Sequence, residues 1–412
     1  MRQRTKAYIF SGMFLGLMIL PRLLFIPLKD YVDTENYENR VYQEKPELTV
    51  RNLKSYPGQY DAYFNDHLAF KNPIVAFGKL ADIRVFGEVS SDAVLMGRDG
   101  WMFYKLKGEM EDSIADYQGT NHYSEQELER FAALLEQADR NLSSRGMRLI
   151  LYIVPNKEQV YSQYMPSSVK VVDEQSKADL LYTYLREHTD ADVYYPLEEF
   201  KKAKDEWCQI YRKYDTHWND MGAFMASQMI IQDIGGEVPE PKSYMDYEIE
   251  DRGAFSGDLA VMLNLQKYYN DDAFLKVAGY KDDVTYVMDY QNERETITHY
   301  SSDADAAGAA GSPGAAKSPG ADRLLVCRDS FGVHMAEYFA KTYPDVTLMD
   351  YRTEDCSGAA WEIQPDVVVI EVAERYTDYM FGLLEGLGLM GQEQSAGNEP
   401  AIGQVNIEGG AR

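Results

Sequence analysis

Ser330 ends an apolar run, "RLLVCRD" (323–329), and stands directly before "FGVHMAEYFAKTYP", whose spacing is helical. At a strand-to-helix turn a serine hydroxyl can project from a sheet. Free N–H groups of the new helix then face the same space and can hold a developing oxyanion. Serine also caps helices, and by itself Ser330 reads as a cap. Its hydroxyl is a weak nucleophile without a base, so the chemistry depends on partners elsewhere. Asp215 and His217, in "YRKYDTHWNDMGAF", are two residues apart. In an extended segment both side chains leave the same face, so the carboxylate can orient the imidazole. Serine, histidine and aspartate in contact would do acyl transfer, whatever their order along the chain.

His334, one helical turn after Ser330, is the rival base, with Glu337 as its one neighbouring carboxylate. His67, His122, His188 and His299 read as structural or solvated. Asp215 and His217 lack spaced third and fourth ligands, so no metal is expected. The cysteines Cys208, Cys327 and Cys356 are too few for a disulfide scaffold and lack metal spacing. Cys327 reads as a small buried thiol in its strand, and a Cys208–Cys356 bridge stays open.

The elements that must position these residues follow an α/β pattern. "RLILYIVP" (148–155), "RLLVCRD" (323–329), "VTLMDY" (346–351) and "DVVVIEV" (366–372) are short apolar runs, as in strands buried on both faces. Helices alternate with them. "SEQELERFAALLEQADRNLSSRG" opens on a capping box, Ser124 and Glu127, and stops at Gly146. "NDMGAFMASQMIIQDIGG" follows the Asp215–His217 segment. The alternation predicts a mostly parallel sheet with reactive groups at the carboxyl ends of its strands.

With 412 residues the chain can bury a large core, and its net charge is −26. No basic stripe offsets that charge, which excludes a nucleic-acid role. The 32 tyrosines suit sugar-stacking surfaces as well as half-buried faces. Arg2, Arg4 and Lys6 precede an uncharged apolar run from Ala7 to Leu20, and "LLFIPL" resumes after Pro21 and Arg22. Counted on to Leu28 the segment is long enough to span a bilayer. It has no A-x-A-like cleavage site, and its basic start places the N-terminus in the cytoplasm. The expectation is therefore a single-pass signal anchor, with the rest of the chain outside the cytoplasmic membrane. Residues 1–29 form the cytoplasmic tip and anchor, 30–85 an extracytoplasmic lead-in, and 86–385 the α/β domain. "SSDADAAGAAGSPGAAKSPGADR" (301–323) is a flexible insertion in that domain, and 386–412 a disordered tail.

Four stretches in order, "YPGQYDAYFNDHLAFKN" with "VLMGRDGWMFY", "YIVPNKEQVY", "YDTHWNDMGAF" and "LLVCRDSFG", together with "QPDVVVIEVAER", carry a resemblance. The chain resembles the SGNH-hydrolase-like exported O-acetyltransferases, the AlgX/AlgJ group, and their relatives named for a D-H-H-W motif. The resemblance covers roughly residues 45 to 380. It implies an SGNH-like three-layer sandwich with a mostly parallel sheet; the membrane helix read from the N-terminal residues precedes it. It also implies a Ser330–His217–Asp215 triad whose order is permuted relative to ordinary SGNH hydrolases. The tetrad here reads Asp215-Thr216-His217-Trp218, and the usual G-D-S reads Arg328-Asp329-Ser330. Asn156, Lys157, Trp218, Arg328, Gly257 and Asp258 are the further candidates for oxyanion or substrate contacts.

The resemblance further implies acetylation of a cell-surface or exported polysaccharide in the bacterial envelope. No cofactor is called for; the acetyl group would come from a donor or from a partner such as a membrane-bound O-acyltransferase. A carbohydrate esterase on the same fold would differ only in its final acceptor, water. A non-catalytic polysaccharide-binding or scaffold protein is the third reading.

Overall fold

The computed structural model describes residues 2–37, 41–235, 243–270, 272–302 and 321–390. The insertion expected at 301–323 lies mostly outside them, as does the chain after Met390.

Seven strands form the central sheet. In chain order they are β3 (Arg148–Val154), β4 (Asp192–Tyr194), β7 (Tyr286–Gln291), β8 (Ile297–Ser302), β9 (Arg323–Arg328), β10 (Asp345–Asp350) and β11 (Val367–Ala373). Their spatial order is β4-β3-β11-β9-β10-β8-β7. The pairs β3–β4, β3–β11, β9–β11 and β9–β10 are parallel, while β8–β10 and β7–β8 are antiparallel. The four apolar runs of the sequence are therefore the contiguous centre of a mostly parallel sheet.

Side-chain alternation shows that both faces are covered. Arg148 and Tyr152 of β3 point to the helix Asp220–Ile234, through Asp233 at 2.6 Å and Met229 Sδ at 3.6 Å. The odd-numbered neighbours Leu149, Leu151 and Ile153 must leave the opposite face, and they too are buried. That second side carries the helices Glu125–Ser143 and Met380–Leu389. These meet through the Phe131 and Phe381 rings, 5.2 Å apart, and the bond from Asn141 Nδ2 to the Leu387 carbonyl, 2.6 Å. The first of these helices starts on the capping box of Ser124 and Glu127. The second runs to Leu389, four residues past the expected domain end.

Two short hairpins lie outside the sheet, β1 (Val94–Met96) with β2 (Met102–Tyr104) and β5 (Ile249–Phe255) with β6 (Asp272–Val277). A second, smaller core joins Val94, Met96 and Met102 to Leu259, Leu263 and Leu265. Ala76 of the helix Lys71–Phe86 is buried there, with Leu80 and Ile83 packed against it. The second half of the lead-in thus packs with the α/β region. The three cysteines are unpaired.

The N-terminal helix is Arg2–Leu28 and continues through Pro21 and Pro27. Its 27 residues make it about 40 Å long at ~1.5 Å per residue. Thr5–Tyr31 has a mean hydropathy of 2.1 and no buried share, so it is long and apolar enough to cross a membrane.

Candidate active site

Asp215 and His217 sit in a loop closed by one antiparallel bridge between Tyr211 and Trp218. The Arg212 N–H donates to the His217 carbonyl at 3.2 Å, and the Asn219 N–H to that of Ile210 at 3.0 Å. Asn219 then caps the helix Asp220–Ile234, its Oδ1 accepting from the N–H groups of Met221 and Gly222. The loop lies against the end of β9, where Ser330 follows two residues after the strand. His217 Nε2 is 2.8 Å from Ser330 Oγ, and His217 Nδ1 is 2.7 Å from Asp215 Oδ1. A carboxylate at Nδ1 holds the proton there and leaves Nε2 free to accept from the serine.

Asp215 is anchored on both oxygens. Oδ1 also accepts the His217 N–H at 2.8 Å, and Oδ2 accepts the Asp258 N–H at 2.9 Å. Burial opposes its charge, but the hydrogen bond and charge of His217 and these two N–H groups outweigh it, holding the carboxyl well below its ordinary range. Asp258 is a second carboxylate beside the ring, 3.6 Å from Nδ1. Its oxygens accept the Thr216 N–H at 2.8 Å and the Thr216 hydroxyl at 2.6 Å, and that hydroxyl is 3.0 Å from His217 Nδ1. Burial, and then the charge of Asp215, push the Asp258 carboxyl up, although 31 % of its side-chain surface stays exposed. Asp215, His217 and Asp258 bring three possible ligand atoms within 4.8 Å of one another. A cation there would have to displace the proton on Nδ1.

The serine turn is built on buried acids. Asp329 accepts the Phe331 N–H on Oδ1 (2.9 Å), and on Oδ2 the Ala373 N–H (2.7 Å) and the Tyr351 hydroxyl (3.1 Å). Glu371 of β11 accepts the Asp329 N–H at 3.2 Å. Burial, and then the charge of Asp329, raise the Glu371 carboxyl well above its ordinary value. Gly332 lets this turn close, because a Cβ would meet that of Arg328 at 2.5 Å. The Ser330 N–H makes no bond among the described residues and is free for an oxyanion. The helix expected behind Ser330 is a 3-10 turn, Gly332–Met335, followed by only Ala336–Ala340. It offers fewer free donors than a full helix start.

The remaining candidates take other places. Arg328 ends β9 in extended backbone with no positive φ, so glycine is not needed there. Its guanidinium is buried, donating to the Glu295 carbonyl at 3.0 Å and lying 3.7 Å from Asp350. The guanidinium is thus engaged with backbone and carboxylate at the end of the strand. Trp218 is fully buried and donates from Nε1 to the Phe331 carbonyl at 3.0 Å. It ties the His217 loop to the serine turn. The Asn156 N–H donates to Glu374 at 2.9 Å, and its Oδ1 accepts from Arg375 at 3.4 Å. Lys157 is buried, with its ammonium on three loop carbonyls; burial pushes it down to about 8. Neither makes a hydrogen bond to Ser330 among the described residues. Gly257 packs on the loop backbone, where a Cβ would meet the Tyr214 carbonyl oxygen at 2.1 Å. The rival base, His334, faces Asp220 at 3.6 Å.

Sequence reasoning passed over Thr216, Asp272, Asp329 and Glu371. A signal existed for Glu371, the one charged residue inside the apolar run of β11. Asp272 accepts the Tyr214 N–H at 3.0 Å, across 58 residues of chain, and no local pattern foretells that.

The fold is an SGNH-like α/β fold with a mostly parallel central sheet. Residues 94–287 match the family model described as the SGNH hydrolase-like domain of the acetyltransferase AlgX. That stretch contains Asp215 and His217 and stops before Ser330. The chain is similar to the AlgX/AlgJ group and its D-H-H-W relatives, as its motifs imply. It is 26% identical over 239 residues to the probable alginate O-acetylase AlgJ of Pseudomonas syringae pv. tomato, covering 56% of each chain. To the protein of the same name from Pseudomonas putida it is 26% identical over 242 residues, 56% of this chain and 57% of that one. The chain thus matches about half the length of these curated relatives. Among solved structures, a DHHW family protein from Eubacterium siraeum has a TM-score of 0.49 at 14% identity, covering 73% of this chain and 96% of that one. The O-acetyltransferase domain of Pseudomonas putida AlgJ has a TM-score of 0.43 at 17% identity, covering 71% and 98%.

Proposed function

We propose that the protein is a membrane-anchored, extracytoplasmic O-acyltransferase that acetylates a cell-surface or exported polysaccharide through an acyl-enzyme on Ser330. The observation that carries this reading is the hydrogen-bonded line from Ser330 Oγ to His217 Nε2 (2.8 Å) and from Nδ1 to Asp215 (2.7 Å). The O-acetylase names of the AlgJ relatives support the acetyl group and the polysaccharide acceptor. The apolar helix behind a basic start supports anchoring with the N-terminus inside.

In the first half-reaction His217 Nε2 takes the Ser330 proton as Oγ attacks the acyl carbonyl carbon. Asp215 keeps the imidazole in the right tautomer and stabilises the imidazolium that forms. The Ser330 N–H faces the developing oxyanion. The tetrahedral adduct collapses, the donor's oxygen leaves with the proton from His217, and the acyl-enzyme remains. In the second half a sugar hydroxyl gives its proton to the same nitrogen and attacks the acyl carbon. Ser330 Oγ departs and recovers that proton. The donor is a small acyl ester or a partner protein such as a membrane-bound O-acyltransferase, and no cofactor takes part.

The test is incubation with p-nitrophenyl acetate, with and without oligosaccharides, followed by intact mass of protein and sugar. A Ser330-dependent acetyl gain on the sugar establishes transfer. Acetate release without sugar acetylation makes the protein an esterase. A folded protein that never forms an acyl-enzyme is a binding or scaffold protein.

A further inference from the structure

Lys157 stands just past the end of β3, in "VPNK", and is 1% exposed. Its ammonium donates to the carbonyls of Asp215 at 2.6 Å, Arg212 at 3.2 Å and Lys213 at 3.5 Å. An ammonium has three donors and no acceptor, so this set uses all of them. The rings of Phe103 and Trp101 lie 5.2 and 5.8 Å from Nζ, where their faces favour a cation. N–H groups of the same loop go to carboxylates: Tyr214 to Asp272, Thr216 to Asp258 and His217 to Asp215. Besides the bridging bond between Arg212 and His217, this loop has two scattered backbone bonds, the Lys213 carbonyl accepting the Met102 N–H at 3.1 Å and the Tyr214 carbonyl the Ala260 N–H at 3.3 Å, and no ladder. The carbonyls of Arg212, Lys213 and Asp215 converge on one cation, and the amides of Tyr214, Thr216 and His217 fan out to three carboxylates. Buried carbonyls that point at one another repel unless a donor or cation lies between them.

We propose that Lys157 is a positioning residue for the Ser330 reaction, its ammonium gathering the carbonyls of Arg212, Lys213 and Asp215 and so setting where Asp215 and His217 stand. The assignment rests on the acyl-enzyme reading above. Lys157 touches no reacting atom. It acts through the loop that carries the base and its orienting carboxylate two residues apart. A buried lysine elsewhere in the core would support stability alone; this one holds the backbone of Asp215 itself.

The experiment compares the full chain with Lys157→Ala and Lys157→Met. It measures the rate of Ser330 labelling by a fluorophosphonate probe, and kcat and KM with p-nitrophenyl acetate. Near-UV circular dichroism reports folding. Misplacing a base by about 1 Å costs about 100-fold in rate, so both variants should label about 100-fold more slowly, with KM nearly unchanged. Propylammonium should restore about tenfold of the loss in Lys157→Ala, whose cavity admits it and whose carbonyls bind it, again within the range that positioning supplies. Lys157→Met fills the cavity with an uncharged chain and should gain nothing. Folded variants that label at the wild-type rate overturn the proposal, and so does a slow Lys157→Ala that no amine rescues. If Lys157→Ala fails to fold, the rate of folded Lys157→Met decides alone. A wild-type chain that never labels refutes the acyl-enzyme reading itself, a result distinct from labelling that ignores Lys157.

Discussion

Removing Asp215 from this site should cost far less than removing the aspartate of an ordinary serine triad, because Asp258 stands behind it. Asp215 Oδ1 is 2.7 Å from His217 Nδ1 and Asp258 Oδ2 is 3.6 Å away. At an effective dielectric of about 20, an imidazolium gains about 6 kcal/mol from the first and about 4.6 from the second. In Asp215→Ala the second remains, and Thr216 Oγ1, 3.0 Å from Nδ1 and bonded onward to Asp258, keeps an acceptor for the ring proton. Losing Asp215 also removes the like charge that raises the Asp258 carboxyl, which then ionises more readily. The difference, about 1.5 kcal/mol, is about tenfold in rate. Screening of the part-exposed Asp258 carries the expected loss toward ~100-fold. A triad with a single carboxylate loses about 10⁴-fold, and the Asp215→Ala/Asp258→Ala double variant should approach that figure. The assay is single-turnover acylation by p-nitrophenyl acetate, read by intact mass, on chains verified as folded. A full 10⁴-fold loss from Asp215→Ala alone, unchanged by Asp258→Ala, would refute the reserve role of Asp258.

Two further outcomes are expected. Glu374 is fully buried, and burial raises its carboxyl to about 8 from an ordinary 4.5. The folded state thus binds its proton more tightly, so its contribution is complete below about 4.5 and is lost as pH rises through about 8. Glu374→Gln copies the neutral acid, keeps an oxygen for the Asn156 N–H, and should flatten the decline of Tm across that window; an unchanged slope would show that other groups set it. Trp218→Phe leaves the Phe331 carbonyl without its 3.0 Å donor and should cost about 1–3 kcal/mol of stability, with slower acylation and an unaltered KM for the sugar acceptor. A raised acceptor KM at unaltered stability would restore Trp218 as a sugar contact.

The amino-acid sequence by itself determined the centre of this molecule. Uninterrupted apolar runs can be satisfied only where both faces are covered, and they became β3, β9, β10 and β11. The capping box at Ser124 was legible too, since a helix start states its needs within three or four residues. Asp215, His217 and Ser330 could be named from residue type and spacing, because acyl transfer needs a nucleophile, a base and an orienting acid. The edge hairpin β7–β8 was not legible; its strands are short, polar and half exposed, and they become strands only because β10 offers them an open edge. Tertiary structure alone decided the 2.8 Å contact across 113 residues between His217 and Ser330. It also turned Arg328, Trp218 and Lys157 inward to hold backbone. Long polar side chains can serve either a substrate or a carbonyl, and only the fold reveals which one lies within reach.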